Sequence, residues 1–141
     1  MVHVRDDGVF DAPIDRLWKY IGDQMLHQHD TFTVTKMIEQ KGNSMLMEVD
    51  LVNYPGLKGM HKETLRMTLN PPKSMDIEFV DGPQKGTRHT HVYTPIGDKT
   101  KVVVDGEFFY RGLDDAAVKK SNLAYFEKVF NEDNANVKKY R

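Results

Sequence analysis

The longest stretch of this chain without proline or glycine is its last, Leu113 to Arg141, and it reads as one long helix. Asp114 and Asp115 open it, where acidic groups meet the positive end of a helix dipole. Lys138, Lys139 and Arg141 close it, where cations are favoured. At 100° per residue, Ala116, Leu123, Phe126, Phe130 and Val137 share one face, with Val129 and Tyr140 at its edges. Such a helix reaches roughly 35–40 Å, about the width of a small domain, so the other elements must be arranged against it. Lys119, Asn122, Asp133 and Asn134 fall on or beside the stripe. Either the helix overhangs its partner layer at these positions, or it covers a partly polar hollow. Val118 and Tyr125 fall on the outer side, the only hint of a protein-contact surface.

The remainder of the chain changes period twice. His3 to Phe10 reads as a short strand. In Asp11-Ala-Pro-Ile-Asp-Arg-Leu-Trp-Lys-Tyr-Ile-Gly, Pro13 suits a first helical turn, and Ile14, Leu17, Trp18 and Ile21 follow helical spacing up to a stop at Gly22. Asp23 to His29 is expected to form a second short helix. From Thr31 the period is two, with strands expected over Thr31–Lys41, Met45–Val52, Met60–Leu69, Ser74–Val80, Thr87–Thr94 and Lys101–Tyr110. Turns or loops separate them at Lys41-Gly-Asn-Ser, Asn53 to Gly59, Asn70-Pro-Pro-Lys, Asp81 to Gly86 and Pro95-Ile-Gly-Asp-Lys. Consecutive hairpins make an antiparallel sheet, and its inner face must pack on helix. The fold class is therefore α+β, in the order β-α-α-β6-α.

With 141 residues the length prior gives one domain, residues 1–141, able to bury a core without staples. The composition, 39% hydrophobic and 29% charged, is that of a soluble globular chain. A net charge of −1 with basic residues evenly spread argues against nucleic acid or an anionic membrane as partner. No cysteine is present, which removes disulfides and thiolate chemistry and fits a reducing compartment. No apolar run resembles a signal peptide or approaches a membrane span, so a cytoplasmic location is expected, not an integral membrane protein. Phosphate-binding glycine loops, a nucleophile elbow and a cysteine nucleophile are all missing. Gly56-Leu-Lys-Gly lacks the strand–loop–helix context of a phosphate cradle and is expected to form a rim.

Phe10-Asp-Ala-Pro-Ile-Asp-Arg-Leu-Trp-Lys-Tyr-Ile-Gly-Asp resembles the opening signature of the START-type superfamily, the helix-grip fold of birch-pollen allergens, polyketide cyclases and coenzyme Q-binding proteins. Asp81 to Gly86, Tyr93-Thr-Pro and Thr100 to Phe108 resemble that superfamily's end hairpins. The resemblance covers essentially the whole chain in element order. It implies a seven-stranded sheet curled around the terminal helix, with a cavity between them that takes lipids, sterols, polyketides or other apolar small molecules. A few members are enzymes, and one branch activates a chaperone.

Strand alternation then proposes a lining. The inner rows are Met45, Met47, Val49 and Leu51; Leu65, Met67 and Leu69; Met75, Ile77 and Phe79; and Val102, Val104, Phe108 and Tyr110. Gly106 falls on the same face, where a missing side chain would admit the helix or a ligand. By strict alternation His61 and Glu63 face inward with Leu65. The resemblance turns Tyr93 inward, and His89 and His91 with it; otherwise Val92 is inside and both histidines are at the surface. With Phe126 and Phe130 from the helix, these give a ligand-binding set with an apolar end and a polar end, the latter His61, Glu63, His89, His91 and Tyr93. Recognition of one polar head is the leading reading. Acid–base catalysis on a carbonyl compound, of cyclase, dehydratase or hydrolase type, is the first alternative, with Glu63 or His91 as base and Tyr93 as donor. A protein-interaction module is the second. His-x-His and His-x-Glu could offer metal donors, but the spacing is weak, and neither a metal nor a cofactor is expected. The expected partner is a small hydrophobic or amphipathic molecule of lipid, quinone or polyketide type, bound or carried by a monomer or weak homodimer.

Overall fold

The computed structural model describes residues 1–23, 32–52 and 60–139. Its elements are β1 (Val2–Phe10), α1 (Ile14–Gly22), β2 (Phe32–Lys41), β3 (Ser44–Val52), β4 (Met60–Asn70), β5 (Ser74–Asp81), β6 (Arg88–Ile96), β7 (Lys99–Phe108) and α2 (Asp115–Lys139). The strands form one antiparallel sheet in the order β1-β7-β6-β5-β4-β3-β2. Strands β2 to β7 thus follow as neighbouring hairpins, and β1 joins the last of them. This is the curled seven-stranded sheet and long C-terminal helix that the sequence led us to expect. The expected second short helix, beyond Asp23, and the Asn53–Gly59 loop with its Gly56-Leu-Lys-Gly rim lie outside the described residues.

Turn chemistry sets the register. The β2–β3 and β6–β7 hairpins turn in two residues, with Lys41 opposite Ser44 and Ile96 opposite Lys99. Gly42 and Gly97, at φ of 58° and 60°, supply the left-handed backbone that so tight a turn requires. The turn expected over Pro95 to Lys99 is accordingly shorter, and Pro95 and Ile96 extend β6. A proline is tolerated there because β5 pairs with β6 only as far as Val92. At the other end Tyr110 follows β7, which stops at Phe108.

Alternation sorts the two faces. Met47, Val49, Leu65, Met67, Met75, Phe79, Val102, Val104 and Phe108 are buried on the inner one. On the outer one the Lys62 ammonium lies 2.9 Å from Glu48 and 3.2 Å from Asp50. Gly106 faces inward, and what comes closest to it is the neighbouring strand β6. A Cβ there would collide with the Arg88 carbonyl and the backbone of His89, so the missing side chain serves the close approach of β6.

Asp114 caps α2, its Oδ1 accepting the Ala117 N–H at 2.8 Å. The strand that α2 approaches most closely is β1. A Cβ on Gly8 would lie 2.8 Å from the Phe130 ring, and Phe130 packs 4.7 Å from Phe10, centroid to centroid. Thus α2 rests on one edge of the sheet and stands away from its middle. The inner face of α2 is rotated by roughly 60° from the apolar stripe. Ala116 is exposed, whereas Val118, Ser121, Asn122 and Val137 are buried. Val118 and Tyr125 therefore do not form an outer surface: Val118 is in the core and Tyr125 lines the interior. The stripe misleads because polar residues occupy the inner face; the Asn122 amide donates to the Val118 carbonyl at 2.9 Å, and Asp133 accepts from Tyr20 of α1 at 2.8 Å.

Gly8→Val is expected to lower stability by about 1–3 kcal/mol through overpacking against Phe130. In a Phe130→Ala background the same change should cost clearly less. Urea midpoints of the four proteins measure that coupling, and equal costs in both backgrounds would show that α2 is not seated on Gly8.

Candidate functional site

Because α2 touches the sheet at β1 and α1 covers the neighbouring corner, space is left between the two helices and the inner sheet face. It is a cavity of about 170 Å³, room for on the order of ten water molecules. Most of the wall is apolar: Val49 and Leu51 from β3, Leu65 and Met67 from β4, Ile77 and Phe79 from β5, Val104 and Phe108 from β7, and Phe126, Val129 and Phe130 from α2. Tyr20, Gln84, His89, His91, Tyr93, Asn122, Tyr125 and Asp133 are the polar members.

Three of these come from β6. At a strand rise of about 3.3 Å per residue, His89, His91 and Tyr93 span about 13 Å of the cavity's length. Val92, between them, is 45% exposed on the outer face. The His91 Nε2 and His89 Nδ1 atoms are 3.1 Å apart, so one ring donates to the other. His89 also stacks on Phe108 at 5.1 Å, and Trp18 meets Tyr93 edge-on at 5.3 Å. Burial, with the neighbouring His91, holds the His89 pKa well below the usual imidazole value. Burial likewise pushes His91 down to about 4, against the pull of Asp76. Both rings are neutral at pH 7. Burial raises the Tyr93 pKa, so its hydroxyl is neutral too.

The helices supply the facing polar pair. The Tyr20 hydroxyl donates to Asp133 Oδ1 at 2.8 Å. Burial pushes the Asp133 carboxyl up to about 7, with the Tyr20 hydrogen bond opposing the shift and Glu132 adding to it. A carboxyl half-protonated at neutrality beside a tyrosine can accept from, or donate to, a polar group in the cavity.

Of the residues singled out from sequence, Val49, Leu65, Met67, Ile77, Phe79, His89, His91, Tyr93, Val104, Phe108, Phe126 and Phe130 line the cavity. Met47, His61, Glu63 and Tyr110 do not. Met47 and Tyr110 are buried elsewhere, and His61 meets Tyr110 edge-on at 5.5 Å. Glu63 faces inward as alternation requires but has no exposed surface. Its carboxylate accepts the Gln84 N–H, at 2.8 Å to Oε1 and 3.3 Å to Oε2. The polar groups are thus split: His89, His91 and Tyr93 stay with the cavity, while His61 and Glu63 sit behind its end. Sequence reasoning missed Tyr20, Gln84, Asn122, Tyr125 and Asp133 as polar lining. Asn122 and Asp133 were visible as polar interruptions of the stripe, and Tyr20 lies three residues after Leu17. Gln84 sits in a loop, where no periodicity could mark it. Among the described residues no cluster of three His, Cys, Asp or Glu side chains could hold a metal ion, and no helix is long and apolar enough to cross a membrane.

Sheet, gripping helix and interior space together define a helix-grip protein of START type. The chain belongs to the family described as polyketide cyclase / dehydrase and lipid transport, whose model matches residues 1–140. No curated protein matches the chain. Among solved structures it is similar to the Zhui aromatase/cyclase from a Streptomyces species, with TM-score 0.72 and 13% identity over 97% of this chain and 93% of that one. A START superfamily protein from Mycobacterium smegmatis matches with TM-score 0.71 and 12% identity over 97% of both chains. Ara h 8.0201 matches with TM-score 0.71 and 11% identity over 96% of this chain and 97% of that one. At such identities these likenesses establish the fold.

The buried ionisable groups make stability depend on pH in opposite senses. Burial pushes Glu63 up from 4.5 to about 7. Its contribution is therefore full below about pH 4.5 and is lost as pH rises through about 7. His91 falls from 6.5 to about 4, so its contribution is full above about pH 6.5 and is lost as pH falls through about 4. Glu63→Gln removes only the first. Relative to the parent, that variant should gain stability between about pH 5 and about pH 8, by at most about 3 kcal/mol. Urea unfolding at both pH values measures it; a constant difference would mean that Glu63 is ionised throughout.

Proposed function

We propose that this chain binds, and by releasing it intact carries, a small apolar or amphipathic molecule in the cavity between the sheet and α2. The observation that carries this reading is an apolar space whose β6 polar groups are all uncharged at neutral pH. Neutral imidazoles and a neutral phenol favour hydroxyl or carbonyl groups over a carboxylate or ammonium, because nothing in that row repays the desolvation of a charge. The family's description, which joins cyclases and dehydrases with lipid transport, supports a guest of that kind. A polyketide-like, quinone or lipid molecule fits both.

The same values weigh against proton transfer by His91, Tyr93 or Glu63. An imidazole at about 4 is a weak base at pH 7, a phenol with a raised pKa gives up its proton poorly, and Glu63 lies outside the lining. One observation does favour an enzyme. Asp133 lines the cavity with a pKa near 7, matched to general acid–base work at neutrality. A cyclase or dehydratase built on this cavity would use Asp133, held by Tyr20, on a bound carbonyl compound. Val118 is buried and Tyr125 lines the cavity, so the hint of a protein-contact module on the outer side of α2 has lost its support.

Native purification of the parent and of Asp133→Asn, followed by mass spectrometry of the retained molecule, tests this. The same intact apolar molecule in both proteins is the expected result. A molecule lighter by one water in the parent alone would make the chain a dehydratase, and no retained molecule in either would remove carriage.

A further inference from the structure

The cavity ends not only at Tyr93 and Asp133 but also at Gln84. This residue sits in the tight connection between β5 and β6, which is closed by hydrogen bonds from Lys85 N to Gly82 O at 3.1 Å and from Thr87 N to Gln84 O at 2.9 Å. Gln84 is 3% exposed and lines the cavity. Among the described residues its side-chain amide makes no hydrogen bond; its bonds run through the backbone, to Glu63 and Thr87. The carboxamide borders the open space of the cavity, where a polar group of a guest can pair with it.

What presents Gln84 is Glu63. The carboxylate lies directly under the connection, taking the Gln84 N–H. A Cβ at Gly82 would sit 2.6 Å from Glu63 Oε2, at a φ of 105° that side chains rarely adopt. No residue but glycine lets the loop close this tightly over the carboxylate. A buried acid, a glycine and a backbone N–H thus fix one glutamine against the cavity.

Position along α2 shows which end this is. Asn122, whose amide nitrogen is held by Val118, lines the cavity eleven positions before Asp133, about 16 Å along the helix axis. His89, close to Phe79, Phe108 and Phe126, follows the Gln84 connection and lies about 13 Å along β6 from Tyr93. The cavity therefore has a polar end at Tyr20, Tyr93 and Asp133, a second polar end at Gln84 and Asn122, and between them a largely apolar wall broken by the paired His89 and His91 on β6.

We propose that Gln84 is a ligand anchor and that Glu63 is its positioning residue, so that the preferred guest is an elongated apolar molecule with a hydrogen-bonding group at each end. This rests on the binding reading above and specifies the chemical class of its guest.

Three fluorescent probes test it: trans-stilbene, its mono-para-hydroxy derivative and its di-para-hydroxy derivative. Their dissociation constants are measured on the parent, Gln84→Leu, Glu63→Gln and Glu63→Leu. In the parent the second hydroxyl should tighten binding about three- to tenfold, the size of one net hydrogen bond. Gln84→Leu should erase that gain without weakening trans-stilbene. Glu63→Gln keeps an acceptor for the Gln84 N–H and should keep the gain; Glu63→Leu should lose it. If the second hydroxyl helps the parent and Gln84→Leu equally, or if Gln84→Leu weakens all three probes alike, Gln84 is wall and not anchor. Loss of the gain in Glu63→Gln would overturn the positioning role. Should none of the probes bind the parent, the cavity reading itself falls, and this inference with it.

Discussion

Where α2 meets the sheet decides everything enclosed between them. The contact is Phe130 against Gly8, beside Phe10, at one edge of a seven-stranded sheet. A helix laid along the middle strands would press its side chains into Leu65, Ile77 and His91 and close the interior. Seated on β1, it leaves those strands facing it across a gap. Gly8 fixes the depth of the seat, since any Cβ there would have to displace the ring. One missing side chain on an edge strand and one aromatic ring on the helix thus set how closely α2 approaches β1, and the cavity is the space left beyond that contact.

Depth then sets the chemistry. Side chains that would titrate between pH 4 and 7 in water are moved by burial, each toward its neutral form. The two β6 histidines lose their protons and keep one hydrogen bond between them. Glu63 and Asp133 shift upward, the first under the β5–β6 connection and the second beside Tyr20. An interior built this way offers donors and acceptors without a fixed charge along β6. That suits it to hold oxygen-bearing apolar molecules, and it limits how strongly the histidines can act as bases.

The failures of sequence reading share a cause. A stripe drawn through apolar residues alone puts Ala116 on the inner face and Val118 and Tyr125 outside it, the reverse of their burial. The real inner face carries Ser121, Asn122 and Asp133, two of which border the cavity. A helix that covers a hollow need not be apolar where it faces the hollow, so hydrophobic periodicity loses its authority there. His61 and Glu63 illustrate a different limit. Alternation gave their face correctly, but a face is longer than a cavity, and both lie past its end. Gly106 faces inward as expected, yet what comes close to it is the next strand.

By itself the sequence determined the order of the described elements, the hairpin pairing and the inner rows of β3, β4, β5 and β7, while alternation alone left the facing of β6 open. These follow from local rules: a period of two, glycines at the turns, and a terminal segment without helix breakers. Tertiary structure alone decided the rotation of α2, the partition of the polar groups, and the inclusion of Tyr20, Gln84 and Asp133 in the cavity wall. Each of these depends on the distance between elements far apart in the chain. No local pattern encodes a distance that is set by a ring meeting a glycine more than a hundred residues away.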